Sequence, residues 1–392
     1  MKLFYLLLSS TIFYTSASCQ NSLYKDVLVN KILRQVSQNL NSLKSVRYDL
    51  KRELNYSSEN YHNETTWNSY YDFQSADTII GFKYQIEDEM AMQIYNGTEK
   101  FELDKKVKTI KINDQPNQRS FSSSSVFYNS IITLKNVLPL IIADKTIAKA
   151  IDDTLINKKP YYLITLHLTK RRMQNLGNGF DAMTTKSNLI YKIIIDKTND
   201  LPFEVLQINN KNEDFIKTSF TNLNINSPTP PEFSWYYSTY IYEYKPAVQK
   251  DLPQLISVGS LAPEWTLPLY DKKENIALRN FKGKVVLLDF WIKNCGPCIK
   301  SIPDLNALQQ KFKNEKFEIL GINSYDPRED IIWFCNKHKP KYKNLMQGKE
   351  IAVKYGVTGF PTVILIDKNG KVLYSGNSLE KIKNEKMIEK AL

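Results

Sequence analysis

The chain has 392 residues, of which 42% are hydrophobic, 12% aromatic and 24% charged, and its formal net charge is +12. At about 150 residues per domain, this length predicts two or three domains, and the composition excludes a disordered or fibrous protein. The basic residues are scattered singly and accompany no nucleic-acid-binding motif, so we expect a solvated basic surface and no nucleic-acid partner.

The amino terminus, residues 1–18, has the pattern of a signal peptide. Lys2 precedes about a dozen apolar residues, too few for a bilayer core that needs ~20, and small residues then lead to Cys19. The end of the segment, Ser-Ala-Ser-Cys, resembles a bacterial lipoprotein signal, although Ser16 stands where Leu is usual. That resemblance implies a periplasmic protein anchored to a membrane by lipid on Cys19. A soluble secreted protein and an uncleaved anchor are the alternatives, and all three place the chain outside the cytoplasm.

The cysteines are few: Cys19, Cys295, Cys298 and Cys335. A secreted protein that depends on disulfides for stability would carry several pairs, whereas this chain has one close pair. A bridge over two intervening residues closes a very short loop and constrains the unfolded chain little. A disulfide between Cys295 and Cys298 would therefore contribute little to stability, and a purely structural role explains the pair poorly.

Residues 19–226 predict an α+β domain. Apolar residues at helical spacing predict one amphipathic helix from Asp26 to about Leu43. Short segments rich in Tyr, Ile, Phe and Thr follow, separated by Asn, Asp and Gly, and these predict a large antiparallel sheet. We expect a helical patch at residues 134–151 to interrupt the sheet, and the block to close near Asn226.

Residues 227–257 are rich in proline and aromatic residues, and we expect a closing strand and a linker there. Residues 258–392 then alternate between strand and helix patterns, which predicts a small α/β domain. KVVLLDFW reads as a buried strand, residues 297–312 as a helix, FEILGINSY as a strand and PREDIIWFCNKHK as a helix. TVILIDKNGKVLYSG predicts a hairpin that turns at Asn369-Gly370, and a last helix follows from Leu379.

The octapeptide WIKNCGPC places a Cys-x-x-Cys pair where the KVVLLDFW strand passes into the next helix. A helix amino terminus favours a thiolate, and a thiolate is the form that attacks disulfides, so Cys295 is the candidate nucleophile. Gly296 allows close approach of a backbone and Pro297 suits the first helical turn. Cys298 lies one turn later, where it can resolve a mixed disulfide. We expect Lys293 and Lys300 to add positive potential at exposed positions.

Two further residues complete the candidate site. Asp289 lies on the apolar strand six residues before Cys295, where a partly buried carboxyl of raised pKa could transfer protons; a solvated strand-end aspartate is the alternative. Phe360-Pro361-Thr362 opens a strand, and a proline there suits a cis bond in a tight turn; for this segment taken alone, an ordinary trans proline at a strand start is the favoured alternative. The backbone before this proline could pair with an extended substrate segment.

With these motifs, residues 258–392 resemble a thioredoxin, and most closely the TlpA/ResA-like thioredoxins tethered outside bacterial membranes. The resemblance implies Cys295 as attacking thiolate, Cys298 as resolving thiol, Asp289 as buried acid and Pro361 as cis-proline. The residues expected to contact a client are Trp291, Gly296, Pro297, Phe360 and Thr362. Two departures are Asn294, where Trp usually precedes the first cysteine, and Ser301, which replaces a Glu common in the TlpA-like group.

The amino-terminal domain, with its long helix and the segment IIIDKTNDLPFEVLQ, resembles the LolA-like proteins. Their curved antiparallel sheet, a half-barrel, encloses an apolar cavity that holds acyl chains. The resemblance implies an acyl or lipopeptide ligand; a spacer or a partner-docking module is the alternative.

The leading hypothesis is an extracytoplasmic thiol-disulfide oxidoreductase that needs no cofactor. Gly-Pro between the cysteines matches thioredoxin, a reductant near −270 mV, and not DsbA near −120 mV. The resemblance likewise implies reduction of disulfides in exported or cytochrome c-type clients, with electrons from a membrane donor. The alternatives are a disulfide oxidase or isomerase, and a lipid-binding protein with an inactive thioredoxin module.

Two other chemistries fit the residues poorly. A peroxiredoxin would need Pro and Thr or Ser where this chain has Leu288 and Ile292. A zinc or copper carrier would need more ligands near the cysteines, and His338 is the one histidine in this domain, so we predict no metal site. Cys335, on a helix with apolar neighbours, reads as a buried apolar residue and not as a third redox thiol.

Overall fold

The computed structural model describes residues 11–74, 78–183, 187–247, 254–377, 379–384 and 386–392. The chain divides into two compact units, Met1–Ala247 and Val248–Leu392. Residues 1–10 of the predicted signal peptide lie outside the described part of the chain, as do the side chains of residues 11–26, that of Cys19 among them. The finer domain boundaries stay predictions. Among the described residues, no helix combines the length and apolarity needed to cross a membrane.

The first unit is a helix-covered sheet. Its helices are α1 (Thr11–Ser42), α2 (Arg119–Ser122) and α3 (Ile131–Ala143). Its strands are β1 (Ser45–Tyr56), β2 (Tyr61–Asp72), β3 (Lys83–Glu87), β4 (Ala91–Tyr95), β5 (Lys100–Asp104), β6 (Thr109–Asn113), β7 (Ala148–Ile156), β8 (Lys159–Leu168), β9 (Arg171–Met173), β10 (Phe180–Ala182), β11 (Leu189–Asp196), β12 (Leu201–Asn209), β13 (Phe215–Ile225) and β14 (Lys245–Pro246).

Twelve of these strands form one sheet in the order β14-β6-β5-β4-β3-β2-β1-β13-β12-β11-β8-β7, and β9 pairs with β10 separately. Every neighbouring pair is antiparallel except β14 and β6, which are parallel. The predicted large sheet is therefore present, and the strand series ends at Ile225, beside the predicted limit at Asn226. Within the described residues of 227–257, the predicted closing strand is the two-residue β14.

The helical patch predicted at residues 134–151 was wrong in its second half. Helix α3 ends at Ala143, and residues from Ala148 onward belong to strand β7. The side chain of Asp144 accepts hydrogen bonds from the backbone N–H of Thr146, at 2.8 Å, and from its hydroxyl, at 2.6 Å. Such a local turn competes with helix continuation, because it gives the backbone N–H another acceptor.

One face of the sheet is covered by α1 and α3. Helix α1 buries its apolar stripe at the spacing expected from the sequence, and Leu33, Val36 and Leu40 are fully buried. These residues share one core with Val46, Tyr48 and Leu50 of β1. Successive inward residues of a strand lie two apart, so Arg52 and Leu54 follow Leu50 on the same face.

The second unit is a five-stranded sheet with helices on its faces. Its strands are β15 (Thr266–Pro268), β16 (Asn275–Ala277), β17 (Val285–Trp291), β18 (Phe317–Asn323), β19 (Lys343–Leu345), β20 (Thr362–Ile366) and β21 (Val372–Gly376). Its helices are α4 (Gly296–Lys311), α5 (Arg328–His338), α6 (Lys349–Lys354), α7 (Leu379–Asn384) and α8 (Met387–Ala391). The sheet order is β19-β18-β17-β20-β21, with β15 and β16 in a separate hairpin.

Strand β17 is the centre of this sheet, and all seven of its residues are buried. It runs parallel to β18 and antiparallel to β20. Val286, Leu288 and Phe290 pack into one core cluster, whereas Val285 and Leu287 pack into another with Leu305 and Leu308 of α4. Because a strand alternates its side chains between the two faces, Asp289 belongs to the face covered by α4.

Candidate active site

The two cysteines lie where β17 ends and α4 begins, and they form a disulfide. Cys295 is the N-cap of α4, and the backbone N–H of Cys298 lies 3.2 Å from the Cys295 sulfur. When the pair is reduced, this N–H and the positive end of the helix dipole favour a thiolate at Cys295. Both cysteines are buried, while Gly296 and Pro297 between them are exposed. The backbone at the tip is therefore the part of the motif open to another chain.

The segment just before Cys295 is fastened to α5. The Lys293 ammonium lies 2.7 Å from an Asp330 oxygen, and its side chain is 4% exposed. Its backbone N–H donates to Asp326 at 2.6 Å. The expectation that Lys293 adds positive potential from an exposed position was therefore wrong, because its side chain is buried and the Asp330 carboxylate compensates its charge. Lys300, by contrast, is exposed.

Asp289 is 2% exposed, which excludes the alternative of a solvated strand-end aspartate. Burial raises the pKa of its carboxyl to about 7, and a hydrogen bond from Tyr342 acts in the opposite direction. The Tyr342 hydroxyl donates to Oδ2 of Asp289 at 3.2 Å, whereas Oδ1 is buried with no hydrogen-bond partner among the described residues. The carboxyl can thus change its charge near neutral pH, as a group that transfers protons must.

The Phe360–Pro361 peptide bond is cis, as the resemblance implied. Thr362 is paired with Phe290 across β17 and β20, which brings the cis-proline turn to the end of β17 from which the dithiol loop emerges. A cleft of about 840 Å³ runs along this turn. Among its lining residues are Pro297, Phe360, Pro361 and Thr362.

Two of the residues expected to contact a client do not line this cleft: Trp291 and Gly296. Gly296 is exposed at the tip, but Trp291 is 2% exposed and stacks on Phe334 with the ring centroids 4.2 Å apart. This burial argues against a direct client contact by Trp291, because its surface is already covered by α5.

Residues that the sequence did not point to also surround the site. Tyr342 precedes the short edge strand β19, and nothing in its local pattern marks it as a partner of Asp289. Tyr325, 55% exposed, meets Phe360 edge-to-face at 5.9 Å. An aromatic residue in a loop is a signal too common to single out, so only the fold reveals these neighbours.

Cys335 is 5% exposed and belongs to the same apolar cluster as the dithiol. Burial raises the pKa of its thiol to about 12, and a hydrogen bond with Tyr270 lowers it in part. A thiol of such high pKa has almost no thiolate at neutral pH and is inert in exchange. This agrees with its interpretation as a buried apolar residue.

The described part of the chain brings one group of possible metal ligands together, Glu53, His62 and Glu64, in the first unit. Lysines already pair with the two carboxylates: Lys217 with Glu53, and Lys51 with Glu64 at 2.9 Å. Side chains of this kind are common on strand surfaces without an ion. The group lies in the other unit from the cysteines.

Comparison with known proteins extends these observations. The Redoxin family model matches residues 257–392. The thiol-disulfide oxidoreductase ResA of Bacillus thuringiensis subsp. konkukian is 35% identical over 119 residues, covering 30% of this chain and 68% of that protein. ResA of Geobacillus thermodenitrificans is 33% identical over 118 residues, covering 30% of this chain and 67% of that protein.

Among solved structures, the thioredoxin domain of a thiol-disulfide oxidoreductase from Bacteroides vulgatus is 30% identical, with a TM-score of 0.32. The match covers 34% of this chain and 99% of that domain. The family match falls in the second unit, which holds the Cys295–Cys298 disulfide. The chain therefore belongs to the ResA family of thiol-disulfide oxidoreductases, through a thioredoxin-like carboxyl-terminal domain.

Proposed function

We propose that this protein is an extracytoplasmic reductase of disulfides in exported or cytochrome c-type client proteins. The observation that carries the proposal is the dithiol at the start of α4, beside a cis-proline turn and above the buried carboxyl of Asp289. These are the elements that a thiol-exchange reaction needs: a stabilised thiolate, a backbone edge for the client and a proton acceptor.

In the proposed reaction, the Cys295 thiolate attacks one sulfur of the client disulfide and forms a mixed disulfide, and the other client sulfur leaves as a thiolate that takes up a proton. Cys298 then passes its proton to Asp289, and its sulfur attacks the Cys295 sulfur, which breaks the bond between Cys295 and the client. The second client sulfur leaves as a thiolate and takes up a proton from solvent, so the client is released as a dithiol. Asp289 returns its proton to solvent, and the Cys295–Cys298 disulfide holds the oxidised state. Two electrons pass to the client, and a membrane donor of the thioredoxin-reducing type returns them to the dithiol.

The client would bind along the cleft at the cis-proline turn. Phe360, Pro361 and Thr362 offer backbone to an extended segment, and Gly296 and Pro297 lie exposed beside the attacking sulfur. In this arrangement Phe360 and Thr362 hold the client backbone while the exposed tip lets its disulfide approach. Trp291 would support the site from beneath by its packing on Phe334.

The direction of transfer is tested by the reduction potential of the pair. The soluble mature chain is equilibrated in dithiothreitol or glutathione buffers, and free thiols are counted. We expect a potential below about −230 mV, which makes the protein a reductase. A value near −120 mV would establish the oxidase or isomerase alternative. A pair that never forms a disulfide would instead support the alternative of a lipid-binding protein with an inactive thioredoxin module. Cys335→Ala is the matched control, because that buried thiol should not change the potential.

The proposed location rests on the amino terminus. We propose that residues 1–18 are removed and that lipid on Cys19 anchors the protein to the membrane facing the periplasm. Intact mass measurement of the mature protein from a bacterial host tests this: we expect cleavage before residue 19 and a mass increase of acyl chains, both lost in Cys19→Ser. An unmodified mature chain would instead support the soluble secreted alternative.

We further propose that the first unit is a LolA-like half-barrel that takes an acyl or lipopeptide ligand. A pocket of about 460 Å³ opens on its inner sheet face, and its lining mixes apolar side chains, among them Leu54, Trp67 and Ile216, with polar ones such as Asn63 and Gln207. Arg52 also lines it; this residue is 3% exposed and forms no ion pair within the described part of the chain. Apolar side chains beside a buried cation suit a ligand with an acyl chain and a polar or anionic end.

Binding of palmitate, followed by isothermal calorimetry, tests this ligand class. Ile216→Trp, which fills the pocket, should abolish binding, whereas Ile225→Trp, on the same strand but exposed, should not. Failure of the unaltered protein to bind palmitate or a diacylated peptide would favour the spacer or docking alternative.

A further inference from the structure

We propose that Tyr342 is a positioning residue of the redox reaction: its hydroxyl holds one oxygen of the Asp289 carboxyl and leaves the other oxygen to take the Cys298 proton. The inference rests on the proposed function, in which Asp289 is the proton acceptor. It assigns a role to a residue outside every motif of the site.

The geometry begins with the edge of the sheet. Tyr342 directly precedes β19, which pairs in parallel with β18, and β18 pairs with β17 so that Gly321 stands opposite Asp289. A side chain at Gly321 would collide with the Asn344 side-chain oxygen at 2.1 Å and crowd Trp291 at 3.1 Å. The missing side chain therefore leaves room opposite Asp289 for the Asn344 side chain of β19, two residues after Tyr342.

The loop itself is held in place. The Asn344 side-chain amide donates to the Tyr342 carbonyl at 3.0 Å, which fixes the backbone from which the phenol extends. The phenol then reaches Oδ2 of Asp289, 53 residues away in sequence. Oδ1 is buried and has no hydrogen-bond partner in the described part of the chain, so one oxygen of the carboxyl is oriented by a donor and the other is not.

Other titratable groups also face this side of the sheet, but none of those described bonds to Asp289. They are Cys298 of α4, Cys335 and His338 of α5, Tyr270, Tyr374 of β21 and the Lys293–Asp330 ion pair. Ile319 of β18 and Val363 and Leu365 of β20 are apolar residues on this face, and the buried Asn323 of β18 bonds to Asp326. Tyr342 is thus the polar group through which this structure controls the carboxyl.

A hydrogen bond to the charged form of an acid stabilises that form. Tyr342→Phe removes the donor and leaves the ring, so the carboxylate loses its hydrogen bond in an unchanged apolar setting. We expect the titration midpoint of Asp289 to rise by about one pH unit, equivalent to 1.36 kcal/mol. From a midpoint of about 7, this leaves about five times less carboxylate at pH 7, whereas little changes at pH 9.

The first readout does not depend on activity. The carboxyl carbon of Asp289 is followed by ¹³C NMR in the full mature chain from pH 4 to 10, and Asp289→Asn identifies the signal. Tyr342→Phe should move the midpoint upward by about one unit. Tyr355→Phe is the matched control, because its hydroxyl, buried on the opposite face, donates to the Pro263 carbonyl at 2.8 Å and should leave the midpoint unchanged.

The second readout is the single-turnover rate of client disulfide reduction against pH. We expect Tyr342→Phe to slow it about five-fold at pH 7 and to recover near pH 9, with no added effect in the Asp289→Asn background. An unmoved midpoint in Tyr342→Phe, with the folded structure intact, would overturn the positioning role. An unaltered protein that reduces no disulfide, while the midpoint shifts as expected, would overturn the proposed function and leave the Tyr342 contact standing.

Discussion

Arg52 in the first unit and Asp289 in the second are both buried on a covered face of a sheet, and their hydrogen-bonding groups are satisfied very differently. Arg52 in the first unit is 3% exposed and donates hydrogen bonds to the carbonyls of Ser125, at 2.6 Å, and Tyr128, and to the Thr218 hydroxyl, at 3.4 Å. Asp289 in the second unit is 2% exposed and has Tyr342 as its single described hydrogen-bond partner. Almost equal burial therefore produces two different kinds of site.

Burial alone does not decide whether a side chain changes its charge near neutral pH, because the ordinary pKa of the group also matters. Burial lowers the pKa of Arg52 to about 10, yet the guanidinium stays charged at neutral pH because its ordinary pKa is so high. Burial raises the pKa of Asp289 to about 7, which places its charge change within the working range of an enzyme. The arginine is therefore suited to hold the loop at Ser125 and Tyr128 and to bind a ligand, whereas the aspartate is suited to transfer a proton.

The largest expected effect concerns the stability of the oxidised protein against pH. Because the folded pKa of Asp289 is raised above its unfolded value, the folded state keeps a proton that the unfolded state has lost between about pH 4 and 7. As the pH rises through that window, the free energy of unfolding should therefore fall, by on the order of 4 kcal/mol from this group. Urea unfolding at intervals from pH 4 to 9 measures it.

Asp289→Asn should remove that part of the pH dependence and make the protein more stable than the unaltered chain at pH 8. Asp304→Asn is the matched control, since its side chain is 51% exposed on the neighbouring helix α4. If the free energy of unfolding changes equally with pH in the unaltered protein and in Asp289→Asn, then Asp289 is already ionised in the folded state at low pH. Its contrast with Arg52 would then be wrong.

A smaller effect is expected for Arg52→Met. The Ser125 and Tyr128 carbonyls lose a charged donor, which costs about 3 kcal/mol in the free energy of unfolding, with no pH dependence between pH 5 and 9. Arg47→Met is the control: this residue is less buried, donates to Asn68 at 2.9 Å and should cost under about 1 kcal/mol. A loss for Arg52→Met no greater than for Arg47→Met would mean that Arg52 does not fasten the loop.

Local patterns predicted much of the fold. The apolar spacing of residues 29–43 marked helix α1, and the buried run KVVLLDFW marked β17 with the dithiol at its end. The prediction over residues 134–151 failed where a side-chain turn at Asp144 ended the helix. That competition is decided by a single local hydrogen bond, which apolar periodicity does not register.

In the candidate site, too, some features follow from the local sequence and others only from the tertiary structure. The sequence by itself determined that Cys295, Cys298 and Asp289 lie where a buried strand passes into a helix, because this depends on neighbours along the chain. The family resemblance implied the cis bond at Pro361, and the catalytic roles of these residues stay predictions. Only the tertiary structure decided that Tyr342 meets Asp289, that Lys293 is buried against Asp330, and that an arginine lines a pocket. These contacts follow from the pairing of strands and helices far apart in sequence, and no local pattern encodes which distant side chain fills the space beside a buried charge.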